Sequence, residues 1–550
     1  MYRLGILLIA LSFVCCSKTD NTAGPSAPKF EFSDHSVNGE TDPSYTYKNV
    51  SIAPHITFTF SGRIKESSVP NGITFTEGTS TAVPYNTSFE DDNKTVLIIP
   101  ASPLKGFTQY KVTVTDGLLS ETDQPLSSSR TVTINTGMDS TDKFDEIPDE
   151  GLLSLVQQQT FKYFWDFGHP VSGLARERNT SGDVVTSGGS GFGIMAIVVG
   201  ISRQFITRDE GLERMQKIVS FLKNTAQRFH GAYPHWLNGA TGEVVPFSLY
   251  DDGADLVETS YLMQGLLTAR QFFNGAGTEA TLRDDINAIW NSVEWDWFRK
   301  NNQDVLYWHW SPDYEWQMNF PIKGWNECLI TYVLAASSTD HAIPKSVYDK
   351  GWAQDGAFRN GNMYYDVQLP LGPANGGPLF FAHYSFMGLN PFDLVDAYAN
   401  YWTQNVAHTR INYNYCVANP NLNIGYSESV WGLTSSDDPD GYAAHSPDND
   451  LGVITPTAAI SSMPYTPTES MRALKFFYYK LGDKLWKDYG FVDAFNLNEP
   501  WFADSFLAID QGPIIVMIEN YRTGLLWNLF MSAPEVKTGL TALGFSSPNL

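Results

Sequence analysis

From about Phe30 to Gly137 apolar and polar positions alternate with period two. His55–Ser61 (HITFTFS), Gly72–Glu77 (GITFTE), Thr95–Pro100 (TVLIIP), Tyr110–Thr115 (YKVTVT) and Arg130–Asn135 (RTVTIN) alternate or run apolar, with Gly, Pro, Asn and Asp between them. Short strands at this spacing predict a β-sandwich over residues 30–137. The polar, acidic stretch 138–150 reads as a linker. Beyond it the period becomes helical. Leu152–Phe164, Phe192–Phe205, Leu212–Phe229, Leu256–Phe273, Leu282–Val293, Glu327–Ala336, Pro391–Ala407, Pro467–Leu481 and Ile514–Phe530 carry apolar residues at three and four spacing. These nine, within a domain long enough for about a dozen helices and with long Gly- and Pro-rich connections, predict a mainly α domain over 151–550, an α/α toroid of helical hairpins with a cleft at one end.

The N-terminus has the pattern of an export signal. Arg3 precedes an apolar run, Leu4–Val14, too short to span a bilayer, and the run ends at Cys15 and Cys16. Apolar residues running into a Cys resemble a bacterial lipoprotein signal, with residues 1–16 as the signal, Cys16 as the acylated residue and Cys15 as the alternative. Residues 17–29 are polar, hold two Pro and read as a tether. The expected location is the bacterial cell envelope, with the chain bound to a membrane through its N-terminal lipid. Cys328 and Cys416 stand far apart and read as buried free thiols.

Charge narrows the function. A formal net charge of -24 lacks the basic footprint that nucleic acid requires. Aromatic residues make up 14%, and every Trp lies at or after Trp165, so the catalytic candidates belong to the helical part. The sandwich reads as a spacer, and Thr95–Leu104 with Tyr110–Val114 resembles bacterial Ig-like domains of surface enzymes.

Asp251, Asp255 and Glu258 fall at i, i+4 and i+7, on one face if the segment is helical, with Asp252 beside them. No Lys or Arg occurs between Arg228 and Arg270 to neutralise them. Part of this acidity suits a helix N-terminus; two turns of it suggest a functional cluster. Val305–Cys328 gathers Trp308, Trp310, Trp316 and Trp325 with Glu327 before an apolar run. Aromatic faces stack on sugar rings and carboxylates bind hydroxyls, so the mixture suits a glycan cleft. Any single Trp there also suits simple core packing. Desolvation would raise the pKa of Glu327 as a general acid requires, and glycoside hydrolysis needs a second carboxylate. Asp510, before the last long helix, is a further catalytic candidate, while Glu519 and Arg522 are spaced to pair at i, i+3. Candidate substrate contacts are Trp236, Trp308, Trp325, Asp252, His383, Tyr384 and Trp431.

Other motifs carry less. Gly188–Gly193 (GGSGFG) lacks the Gly-Lys-Ser/Thr ending of a phosphate loop and reads as a tight turn. The ten His form no HExxH and no close pair, so no metal site and no cofactor are expected. Asp437, Asp438, Asp440, Asp448 and Asp450 form an acidic region that suits either calcium or solvent.

SGGSGFG (Ser187–Gly193), LYDDGADLVETSYLMQGLL (Leu249–Leu267), KGWNECLITYVLA (Lys323–Ala335), DGY (Asp440–Tyr442), TPTAAISSMPYTP (Thr455–Pro467), YGFVDAFN (Tyr489–Asn496) and IDQGPIIVMIENYRTGLLW (Ile509–Trp527) together resemble the glucoamylase-like domain of Bacteroidetes lipoproteins. That family includes endo-β-1,2-glucanases and relatives of domains in cyclic β-1,2-glucan synthases. The resemblance implies an (α/α)6 barrel and inverting cleavage of β-1,2-glucan. It places Asp251, Asp255, Glu258 and Glu327 in the cleft, with Glu327 as general acid and the base undetermined. Exo action on other glucans is the alternative among hydrolases. A glycan-binding lipoprotein would keep the Trp platform without an acid, and a polysaccharide lyase would want Arg or His against a uronate.

Overall fold

The computed structural model describes residues 29–550 and divides into two compact units, one ending at Asp139 and one spanning Ser140–Leu550. The signal segment, Cys16 and the tether as far as residue 28 lie outside the described residues.

Among the described residues the first unit has nine strands: β1 Phe32–Val37, β2 Thr46–Val50, β3 Ile56–Phe60, β4 Ile73–Glu77, β5 Thr81–Ala82, β6 Tyr85–Glu90, β7 Thr95–Pro100, β8 Gln109–Val114 and β9 Arg130–Thr136. They form two sheets, ordered β1-β3-β7-β6 and β2-β9-β8-β4-β5. All pairs are antiparallel except β2 with β9. Alternation puts Ile56, Phe58 and Phe60 of β3, and Val112 and Val114 of β8, in the shared core. The expected strands are all present. Those not anticipated, β1, β2, β5 and β6, lie at or end on sheet edges with largely exposed polar residues such as YNTSFE, where no strict alternation is required.

The second unit is helical and two-layered. Ser187–Ser202, Leu256–Phe272, Leu329–Ser337, Pro456–Ile460 and Ala508–Thr523 are buried almost end to end. Around them pack helices with one polar face: Asp149–Trp165 against Ser187–Ser202 and Ala508–Thr523, Arg208–Asn224 against Thr278–Asn291, and Pro467–Lys475 against Pro456–Ile460. Thr207 and Glu210 close a reciprocal capping box at the start of Arg208–Asn224.

Several expectations are corrected. Gly188–Gly193 is no turn but the opening of Ser187–Ser202, where missing side chains let that helix press on Leu256–Phe272. The pattern read at 391–407 becomes a helix only at Tyr401–Ala418, where Asn400 accepts from the Thr403 N–H as N-cap. Residues 140–150 are not a free linker: Phe144 stacks on Tyr478 at 4.5 Å, and the Ile147 N–H donates to Tyr479 Oη at 3.0 Å. Asp149 and Glu150 already belong to the first helix. Glu519 and Arg522 do not pair with each other. Buried Glu519 accepts two bonds from Arg203, at 2.7 and 2.9 Å, while Arg522 reaches Glu150 and Gln157.

Candidate active site

N-terminal ends of the buried helices converge on a pocket of about 360 Å³. Thr186 caps one helix, Glu258 sits in the first turn of the next, Glu327 just precedes Leu329–Ser337, and Leu507 caps Ala508–Thr523; all four line the pocket.

Glu258 is held firmly. Its Oε2 accepts from the Gly188 N–H at 2.8 Å and from Thr186 Oγ1 at 3.1 Å. A Cβ on Gly188 would fall 2.5 Å from that same oxygen, so glycine there admits the carboxylate. Burial pushes Glu258 above the usual carboxylate range. Glu327 is fixed through its backbone: its carbonyl accepts from Ser385 Oγ and, at 3.4 Å, from Tyr261 Oη. Burial, with Glu258 and Asp255 nearby, pushes the Glu327 carboxyl up to about 7. A pocket-lining carboxylic acid that titrates near neutrality is equipped to protonate a leaving group.

Aromatic rings form one wall. Trp236 meets Phe247 edge-on at 4.8 Å, and Trp308 tilts against Phe320 at 5.6 Å. Trp236, Phe247, Trp308, Tyr384 and Tyr442 all line the pocket, and Phe247 and Phe320 are about half exposed.

The remaining candidates are placed elsewhere. Asp251, Asp252 and Asp255 do not extend the helix face of Glu258, because the helix starts at Leu256. Asp255 is its N-cap, accepting from the Val257 and Glu258 N–H groups at 2.9 Å. Neither Asp251, Asp252 nor Asp255 lines the pocket. Trp325 is core, packed among Trp352, Phe386 and Tyr401. Trp431 is fully buried, donating its Nε1–H to Glu469 O at 3.3 Å. His383 is buried against Ser462 Oγ at 3.0 Å, and burial pulls it down to about 3, so it is neutral. These rings are buried in the interior and do not line the pocket.

Asp510 does not line the pocket and belongs to a carboxylate chain that the sequence does not advertise. Arg178 Nη1 donates to Asp437 at 3.1 and 3.2 Å, the Asp437 N–H donates to Asp493 Oδ2 at 2.7 Å, and Asp493 faces Asp510. Burial raises both Asp493, to about 7, and Asp510. Glu177 and Arg178 line the pocket itself, bonded to each other at 3.0 Å. The acidic region splits into separate sets: Asp437 pairs with Arg178, Asp448 accepts from Asn375, and Asp450 accepts from Tyr415 and Tyr426. It does not gather around a calcium position. The free thiols Cys328 and Cys416 are buried, as expected.

Two family models match the chain: "Putative glucoamylase" over residues 319–534 and "Bacterial Ig-like domain" over 36–136. The exo β-1,2-glucooligosaccharide sophorohydrolase (non-reducing end) of Parabacteroides distasonis is 46% identical over 455 residues, which are 78% of this chain and 61% of the relative. The chain thus spans about three fifths of the length of that curated relative. Among solved structures, a glucoamylase-type protein from Bacteroides uniformis is 57% identical with a TM-score of 0.73, covering 74% of this chain and 100% of its own. The endo-β-1,2-glucanase of Chitinophaga pinensis, in complex with sophorotriose and glucose, is 53% identical with a TM-score of 0.72 over 74% of this chain and 100% of its own.

Proposed function

The chain belongs to the glucoamylase-like family that includes the endo-β-1,2-glucanase of Chitinophaga pinensis, and from that premise we propose that it is an inverting endo-β-1,2-glucanase built on an (α/α)6 toroid. Glu327 carries the reading. It is the pocket acid whose carboxyl stays protonated near neutrality, beside a second pocket carboxylate and an aromatic wall. In the proposed reaction a glucosyl residue lies against Trp236 and Trp308, Glu327 gives its proton to the glycosidic oxygen, and a second carboxylate activates water on the opposite face. Glu258, anchored by Gly188 and Thr186, supplies hydrogen bonds to substrate hydroxyls. Endo action would use a second recess that shares Arg178 with the pocket and is lined by Asn179, Trp501 and Ser505, as a place for further glucosyl units.

Exo action is the second reading, favoured by the 46% identical sophorohydrolase. Incubation with linear β-1,2-glucan, β-1,3-glucan and soluble starch separates these readings by chromatography. A spread of short β-1,2-linked products at early times supports endo cleavage. A single disaccharide from the start establishes exo cleavage, and no product from any of the three overturns the hydrolase reading.

The acid also fixes a pH dependence. Glu327 is protonated below its raised value and ionised above it, so kcat/KM on β-1,2-glucan is expected to fall as pH rises through about 7. A pH-rate profile flat from 5 to about 9 would contradict this assignment.

We also propose that Cys16 is acylated and holds the protein in the cell envelope. Incorporation of labelled palmitate and recovery in the membrane fraction, both lost in C16S, is the expected result; equal label in C16S would rule it out.

A further inference from the structure

The pairing of Ala254–Asp255 with His309–Trp310 sets His309 directly opposite Asp255, and His235 arrives from a separate strand end. The result, around the two most deeply buried carboxylates of the acidic segment, is a cluster that the sequence spacing conceals. His235 Nδ1 lies 3.2 Å from Asp255 Oδ2 and 3.8 Å from Asp251 Oδ2. His309 Nε2 lies 3.5 and 3.6 Å from those same two oxygens.

Asp251 is the anomaly. Its side chain is 2% exposed, yet its Oδ1 has no hydrogen-bond partner, and Oδ2 makes only the long approaches to the two imidazoles. His309 Nδ1 is likewise buried without a partner. A buried, unpartnered carboxylate is costly unless something neutralises it. Asp255 differs, since its second oxygen is used as the helix cap.

The geometry points to a site for one divalent transition-metal ion held by His235 Nδ1, Asp251 and Asp255, with His309 orienting the two carboxylates. Ligand atoms of His235, Asp251 and Asp255 all lie within 4.8 Å of one another. An ion bonded at about 2.1 Å to imidazole and carboxylate sets its ligands roughly 3.0–3.6 Å apart; the 3.2 Å from His235 Nδ1 to Asp255 lies in that range, and the 3.8 Å to Asp251 needs only a small inward shift to reach it. One imidazole and two carboxylates suit zinc or manganese better than calcium, which collects six or more oxygens. The site adjoins the pocket: His235 itself lines it, Phe247 stacks on His235 at 4.2 Å, and the Ser248–Asp251 bridge leads into the ligands. Metal there would pin the Trp236–Phe247 wall, and the proposal does not depend on the hydrolytic reading.

The test is metal uptake by the whole purified protein, stripped with a chelator and titrated with zinc and, separately, cobalt(II). The expected outcome is one tightly bound equivalent, a visible cobalt absorption band, and a higher Tm with zinc. D251N and, as a milder change at a partly exposed ligand, H235Q should lose the band and the Tm gain, while H309N should weaken affinity by about tenfold or more. Sub-stoichiometric uptake that is equal in wild type, D251N and H235Q, with no Tm change, would overturn the proposal and leave His235 as an ion-pair partner of both carboxylates. Activity on glucan is not the readout, so failure of the metal site and failure of the hydrolase reading remain distinct.

Discussion

Glu327→Gln is expected to lower kcat on β-1,2-glucan by about a thousandfold, with KM and thermal stability little changed. The amide keeps the size of the side chain but has no proton to give. Backbone anchoring of residue 327 by Ser385 and Tyr261 does not involve the carboxyl, so the variant should fold as the parent does. Loss of a group that acts only as the glycosidic bond breaks lowers kcat and kcat/KM together. The pH limb near 7 should vanish from whatever activity is left. Steady-state kinetics and a melting curve on the same preparation check both halves, and a KM rise with unchanged kcat would move Glu327 to a binding role.

The second large effect is on stability. Gly191→Ala is expected to destabilise the helical unit by about 3 kcal/mol or more, measured by chemical denaturation of the purified protein. Ser187–Ser202 and Leu256–Phe272 touch backbone to backbone at this point. A Cβ on Gly191 would stand 2.1 Å from Tyr261 O, and one on Gly265 would stand 2.2 Å from Gly191 O. No rotamer change relieves a clash with main chain, so the two helices must part. Glu258 lies one turn before Tyr261 on the displaced helix and takes its anchor from Gly188, so activity should fall along with stability. An unchanged denaturation midpoint would mean that the two helices are less tightly apposed than the structure has them.

Periodicity made the architecture legible where an element has a single role. Alternation in β3 and β8 and the apolar runs in Leu256–Phe272 and Leu329–Ser337 follow directly from which faces are buried. It misled at residues 391–400, where Leu394 is buried from within a loop, because burial alone does not imply helix. Glu258 and Glu327 could be read from acidic residues placed against apolar helix starts. Spacing alone groups Asp251 and Asp255 with Glu258 on one helix face, but the chain bends at Asp255 and turns them toward His235 and His309. No local pattern joins residues that meet through a strand pairing across more than fifty positions of chain. The Arg178–Asp437–Asp493–Asp510 chain was hidden for the same reason. Among the aromatics, Trp236 and Trp308 differ from Trp325 and Trp431 only in burial, a property that composition around a Trp does not report.

The most direct test of the central claim is proton NMR of β-1,2-glucan during the first minutes of digestion by the wild-type protein. An inverting hydrolase must release new reducing ends first as the α-anomer, with the β-anomer growing in by mutarotation, and this is the predicted result. Initial appearance of the β-anomer would contradict the inverting mechanism, and the absence of any new reducing-end signal would contradict hydrolysis of β-1,2-glucan itself.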